Sequence, residues 1–485
     1  MTRGDGSDRA GDAVFDLVVI GSGPAGEKAA THAAYFGKRV AVVERSLLLG
    51  GAVVSNAGVP TKTLRETALY ITGIRKRDVY GVRVELDRDR AFEVLRQRTG
   101  HVVETMAARV QANLDRHGIE VVRGTARILS PQRVAVTDSA GGETVLETGV
   151  VLVATGSRPF HPPGLPFSDP DLNDSDTMLA LDRPFDSILV VGGGPIGCEY
   201  ASILAALDVE VTLVDLGPRL APALDQEISA LLAGALKDLG VRLEFETGVD
   251  AVARDGEGLR VLLTNGELVR PAKVLVAAGR SGNTAGLGLE GVGVDLDNRG
   301  RVIVDENYQT TCPGIYAAGD VIGPPALASV SMEQGRIAAS HAFGTELGKG
   351  QRYEPPFGIY SVPEAAMVGL TEEEASKRGI DYAVGRGWFT TNSRANIAGA
   401  TEGLVKLVFR QSDRRLLGVH ILGDFASELI HIGQGVMQNQ GTIDYFVHAT
   451  FNVPTWSDAY KYAAFDGLQT LEPGALVRAG VESDG

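Results

Sequence analysis

The stretch FDLVVIGSGPAG (15–26) runs from an apolar segment into three closely spaced glycines, then into a run of small residues that ends near Gly37. A strand that turns on glycines and passes directly into a helix is the first half of a dinucleotide-binding unit. Gly21 permits the tight turn, Gly23 lets the backbone approach a pyrophosphate, and Gly26 lets the helix pack closely on the strand. A second strand, Arg39 to Val43, leads to Glu44, a carboxylate placed to accept hydrogen bonds from a ribose hydroxyl.

The same arrangement returns at ILVVGGGPIG (188–197), where Gly192, Gly194 and Gly197 take the three glycine positions. A helix is expected from about Glu199 to Leu207, then the strand VEVTLV (209–214) and Asp215. Glu44 stands 23 residues after Gly21, and Asp215 stands 23 residues after Gly192. Each unit later reaches an apolar strand with a small-residue turn, VLVATG (151–156) and VLVAAG (274–279). One glycine pattern is weak, but two complete units in register point to two bound dinucleotides. A hydride carrier and a flavin are the common pair, so the chain reads as an oxidoreductase.

The 485 residues, 44% hydrophobic and 22% charged, fit a soluble globular protein of two to four domains. With 46 basic against 61 acidic residues and no Lys/Arg-rich run, nucleic acid is excluded as a partner. No run reaches the roughly 18 apolar residues of a membrane span. Residues 1–13 lack the apolar stretch of a secretory signal and read as a disordered tail on a cytoplasmic protein. Cys198 and Cys312 cannot form a disulfide framework, and no spacing suggests a metal.

These motifs, with the GG…PTK loop, GIYAAGD (314–320) and a C-terminal region from near Tyr353, resemble the two-dinucleotide-binding flavoproteins of the dihydrolipoamide dehydrogenase and glutathione reductase family. The likeness runs from Phe15 to about Leu471. It implies an α/β fold: an FAD-binding Rossmann-like domain (14–157 and 286–350), an NAD(P)-binding one (158–285), an α+β dimerisation domain (351–475) and a tail (476–485). A homodimer follows from the same likeness. So does a set of roles: Asp320 for the FAD ribityl chain, Ala126 for a backbone contact to adenine, and Lys62 with Glu199 as an ion pair beside the flavin N5. A cation there would stabilise the anionic reduced flavin. Gly51, Gly156, Ala328 and Gly279 join these as cofactor-lining positions.

The chain departs from the disulfide-reducing members in two places. Their redox loop carries two cysteines separated by four residues, but GGAVVSNAGVPTKTLRE (50–66) has Val53 and Gly58 at those positions. Their C-terminal histidine precedes a Pro-Thr, where TFNVPTWSDAY (450–460) has Val453. Both losses fall on electron transfer from flavin to a disulfide, which needs a thiolate that neither valine nor glycine supplies. Asp458 stands where that family places an acidic partner for the histidine, but Thr455 to Asp458 also reads as a helix capping box, the reading favoured here.

A closer resemblance is to the soluble Si-specific pyridine nucleotide transhydrogenases, carried by KTLRETALY (62–70), ALDQEIS (223–229), ELIHIGQ (428–434) and TIDYFVHATFNVPT (442–455). It implies ping-pong hydride exchange between NAD(H) and NADP(H) through FAD N5, with no redox disulfide. An NAD(P)H-dependent reductase of a quinone or other acceptor is the rival reading, and a non-catalytic redox-sensing flavoprotein is another. Asp215 repels the 2′-phosphate of NADP. Arg219 is the one cation close behind it, either a phosphate contact or a surface arginine covering the turn.

Elsewhere, helical spacing of Phe92, Val94, Leu95, Val102, Val103, Met106 and Val110 predicts a long helix over 91–117, taken as scaffold within the FAD domain. GLVKLVFR (403–410) and RLLGVHILG (415–423) predict a hairpin, with helices near 426–439 and 455–470 packed on it. His420, His431 and His448 read as core or interface residues.

Overall fold

The computed structural model describes residues 14–76, 87–180, 183–256, 258–345 and 354–471. The tails expected at 1–13 and 476–485 lie outside them. The chain divides into two units, one of Met1–Pro60, Gly100–Pro159 and Arg280–Gln351, the other of Thr61–Thr99, Phe160–Gly279 and Arg352–Gly485.

In the first unit the apolar strand Val14–Ile20 lies between Val40–Glu44 and Glu143–Val153, in parallel with both. Such a strand is covered on both faces, which is why its sequence is nearly continuous in Val, Leu and Ile rather than alternating. The sheet order is Glu120–Arg123, Val40–Glu44, Val14–Ile20, Glu143–Val153, Arg133–Thr137, Thr125–Ser130, and Ile315–Ala317 also pairs with Glu143–Val153. The glycine turn delivers the chain into the helix Pro24–Tyr35, whose buried face is alanine: Ala25, Ala29, Ala30 and Ala33. Small side chains let it close against the helix Ala328–Phe343, where a methyl on Gly335 would collide with Ala25 O.

The second unit repeats the plan. Its parallel sheet has the order Arg242–Glu244, Glu210–Val214, Ser187–Val191, Lys273–Val276, Leu172–Asp174. The helix expected from Glu199 starts four residues earlier and runs Pro195–Ala206. Proline suits the first helical turn, because its missing N–H would have had no helical partner. The α+β region is an antiparallel sheet in the order Phe357–Ile359, Ala365–Gly369, Leu416–Leu422, Leu404–Arg410, Tyr382–Trp388. The predicted hairpin forms, and the helices Ala426–Gln438 and Ala459–Leu471 pack over it around Phe409, Phe446 and Tyr460. Each such fully buried side chain contributes about 1.5–3 kcal/mol of hydrophobic stabilisation.

Two further local readings change. The long helix forms as Arg88–Arg116, but its residues through Thr99 group with the second unit, where Phe92 and Leu95 are buried. Thr455 makes no capping box: its hydroxyl donates to Asn452 O at 2.6 Å, and it precedes a 3-10 turn, Trp456–Asp458. Asp458 is buried, which raises its pKa above the usual aspartate range. Among the described residues no helix is long and apolar enough to cross a membrane.

Candidate functional site

The two glycine turns are built alike in their backbone bonds. Gly21 and Gly192 have φ of 105° and 112°, in the region that favours glycine. Their amides donate to Val43 O and Val214 O, both at 2.8 Å. A methyl on Gly26 would collide with Gly21 O, and one on Gly197 with Gly192 O. Glu44 Oε2 accepts the Ser22 amide at 3.0 Å and hydroxyl at 2.7 Å, while Oε1 accepts the Ser46 amide at 2.8 Å. Asp215 does the same with Gly193 at 2.5 Å and Gly217 at 2.7 Å. Each carboxylate keeps lone pairs for a ribose hydroxyl. Gly23 and Gly194 cap the helices with no side-chain bond, so their first N–H groups remain for a phosphate. This donor set fits a dinucleotide in each unit.

In the first unit Gly51 lies against Gly23, where an added methyl would come within 2.8 Å of the Gly23 Cα. Asp320 opens the turn Asp320–Ile322 and accepts the Ser157 hydroxyl at 3.0 Å. Arg280 fixes Ser157 through its Oγ at 2.7 Å and its carbonyl at 2.9 Å. A cavity of about 260 Å³ opens here, with Arg280, Arg299, Arg301 and Asp320 in its wall. Its three guanidinium groups suit a phosphate-bearing ligand. Sequence reading named Asp320 but missed Ser157 and the arginines; the signal available was their nearness to Gly156 and Gly279. Ala126 is buried in the strand Thr125–Ser130, Gly156 O accepts the Asn283 amide at 3.0 Å, and Ala328 begins its helix.

In the second unit Lys62 and Glu199, 137 residues apart, meet as one bidentate pair. Lys62 Nζ lies 3.0 and 2.8 Å from the two carboxylate oxygens. The helix Val59–Lys76 carries the lysine, and the first turns of Pro195–Ala206 carry the glutamate. Beside it Cys198 is fully buried, and its thiol is pushed up to about 12 by burial and then by the charges of Glu199 and Asp215. It is not a thiolate at neutral pH. Gly279, with φ 104°, follows the strand Lys273–Val276, and its carbonyl accepts the Phe160 amide at 2.9 Å.

The family model described as pyridine nucleotide-disulphide oxidoreductase matches residues 15–335, and the dimerisation domain of that family matches 355–464. The chain belongs to the pyridine nucleotide-disulphide oxidoreductase family. It is 43% identical over 459 residues to a soluble pyridine nucleotide transhydrogenase of Mycobacterium tuberculosis (strain H37Ra), covering 94% of this chain and 98% of that protein. A protein of the same name from Marinomonas sp. (strain MWYL1) is 38% identical over 462 residues, 94% of this chain and 99% of that one. Among solved structures, LpdA from Mycobacterium tuberculosis is similar with a TM-score of 0.85 at 30% identity, covering 93% of this chain and 99% of that one. The HOCl-induced flavoprotein disulfide reductase RclA from Escherichia coli gives 0.83 at 26%, with the same coverage.

In this oxidoreductase the loop after the helix Gly51–Ser55 brings Gly58 close to Val53. A Cβ on Gly58 would lie 2.6 Å from Val53 O and 2.9 Å from Val53 Cγ1. Arg219 turns to Glu373, at 2.9 Å, and to Pro222 O, at 3.0 Å. Asp225, Glu227 and Glu372 converge closely enough to chelate an ion. Lys406, 1% exposed, already sits among them at 2.7, 2.9 and 2.5 Å, so an ammonium takes the place of a metal. His420, its cross-strand neighbour, is a core residue that meets Leu370 O at 2.9 Å. His431 is exposed and bonded to Gln434.

Proposed function

We propose that this oxidoreductase exchanges hydride between NAD(H) and NADP(H) in two alternating half-reactions, by way of FAD N5 and without a redox disulfide. The observation that carries this reading is the repeated cradle, with a carboxylate at one register in both units, beside a redox loop that holds no thiol. The transhydrogenase names of the relatives support it. Bound FAD supplies the centre that accepts a hydride from one nicotinamide and yields it to another.

The chain's own residues bind and orient. Glu44, with Ser22, takes the adenosine ribose of FAD, and the open helix start behind Gly23 faces the pyrophosphate. Asp320 and Ser157 hold the ribityl hydroxyls, and Arg280 holds Ser157 in place. Asp215 and the helix start behind Gly194 do the same work for the nicotinamide dinucleotide. Lys62, fixed by Glu199, supplies the positive charge that favours the reduced flavin anion. The buried Cys198 takes no part, and the domain at 355–464 pairs two copies into a homodimer.

A second reading is favoured by Asp215 together with the tethered Arg219: a reductase that takes hydride from NADH and passes electrons to a quinone or another acceptor. Anaerobic stopped-flow spectroscopy separates the two. Transhydrogenation requires NADH to bleach the flavin band and NADP⁺ to restore it within the turnover time. Restoration by quinone alone selects the second reading, and a flavin that NADH leaves oxidised sinks both.

A further inference from the structure

Lys62 is held on two sides. Glu199 grips Nζ with both oxygens, at 3.0 and 2.8 Å, and the Tyr360 ring lies beneath the same nitrogen, 4.7 Å from its centroid. The Tyr360 amide also donates to Glu199 Oε1 at 3.0 Å. One residue therefore steadies the anion through its backbone and the cation through its side chain.

The ring has a job that the ion pair alone does not do. An ammonium is a compact charge on a flexible four-carbon stem, and Lys62 is about one-third exposed, so water competes for it. Among the described residues its third N–H has a long contact, 3.4 Å to Thr61 Oγ1. An aromatic face within about 6 Å adds an attraction that acts along the ring normal and so fixes direction as well as distance.

The ring itself is firmly mounted. The Val362 amide donates to Ser202 Oγ at 3.1 Å, and that hydroxyl donates to Glu199 O at 2.9 Å, which ties the segment after Tyr360 to the helix turn bearing Glu199. One turn beyond Lys62, the buried Arg65 meets Glu364 at 2.7 Å and donates to Ser361 O at 3.2 Å. The Lys62 helix and the Tyr360 segment are thus stapled at two further points that do not involve the ring.

We propose that Tyr360 is a positioning residue for Lys62, its aromatic face holding the ammonium in the orientation in which it acts on the flavin. The inference rests on the assignment of Lys62 to the flavin made above. In the full-length, FAD-loaded protein, Tyr360→Leu should slow flavin reduction by NADH roughly 2- to 30-fold, the range of one cation–π contact. It should also move the flavin midpoint potential negative, because a displaced cation stabilises the reduced anion less. Tyr360→Phe should rescue both quantities, since the face remains. In a Lys62→Gln background, Tyr360→Leu should change neither.

Tyr360→Met, unbranched and closer in length, carries the same test if the leucine variant fails to fold. A wild-type rate and potential in Tyr360→Leu, where Lys62→Gln alters both, would overturn the inference alone. An equal loss in the Lys62→Gln background, or no rescue by phenylalanine, would overturn it as well. If Lys62→Gln itself leaves rate and potential unchanged, the flavin role of Lys62 fails instead.

Discussion

Arg219 is tethered to Glu373 by an Nη1–Oε1 contact of 2.9 Å, so the one cation close behind Asp215 is already neutralised. On the proposed reading an incoming 2′-phosphate meets the Asp215 carboxylate and competes with Glu373 for the guanidinium. Glu373→Gln should therefore lower KM for NADPH about two- to fivefold, the scale of a partly exposed ion pair, and leave KM for NADH nearly unchanged. Steady-state kinetics with each dinucleotide measures the ratio. No change in that ratio would mean that Arg219 never contacts the phosphate.

The paired glycines allow the two cofactor sites to be tested separately. A methyl on Gly26 collides with Gly21 O, and one on Gly197 with Gly192 O, so each substitution spoils one turn. Gly26→Ala should purify with little flavin. Gly197→Ala should retain flavin but bind NADH more than tenfold more weakly, about 1.4 kcal/mol or more. Flavin absorbance and NADH titration read the two outcomes, and a reversed pattern would exchange the assignments of the two units.

Gly58→Cys should destabilise the protein by about 1–3 kcal/mol, because the new Cβ falls 2.6 Å from Val53 O. Val53→Cys, which adds no Cβ, should cost less. Chemical denaturation of the two single variants gives the comparison. Equal midpoints would show that the 53–58 loop yields without strain.

His420 gives stability a pH dependence. Burial holds its pKa below the ordinary histidine value, against the pull of Asp225, so the folded protein keeps it neutral while the unfolded chain takes up a proton. The contribution is complete above the ordinary value near 6.5 and is lost as pH falls below it. Thermal midpoints should decline from about pH 7 to pH 5. His420→Gln, which keeps a donor for Leu370 O, should flatten that decline without abolishing it, since His32 is also depressed by burial. An unaltered slope would remove His420 from the explanation.

The repeated units were legible because their requirements are local. Gly21, Gly26 and Glu44 answer to a turn, a close approach and a strand end that lie within 24 residues of sequence, and so do Gly192, Gly197 and Asp215. The Lys62–Glu199 pair was legible only through family likeness, since nothing periodic links positions 137 apart. Tyr360 beneath Lys62 left no local trace either, because a ring face does not reveal its target in sequence, whereas Arg280 was marked only by its place next to Gly279. The Thr455 cap was misread for the opposite reason. Its spacing suits a capping box, but the hydroxyl is spent on Asn452 O.

Lys406 lies in the C-terminal sheet, with Glu372 close by in that region, while Asp225 and Glu227 belong to the parallel-sheet part of the same unit. The families match these parts as separate modules, 15–335 and 355–464. Yet Lys406 and Asp225 are each 1% exposed, and parting them would leave a buried charge without its partner, at about 3–5 kcal/mol. The modular boundary in the sequence is thus not a seam in the folded molecule. A chimera that takes its C-terminal module from a relative must inherit the lysine and the aspartate together.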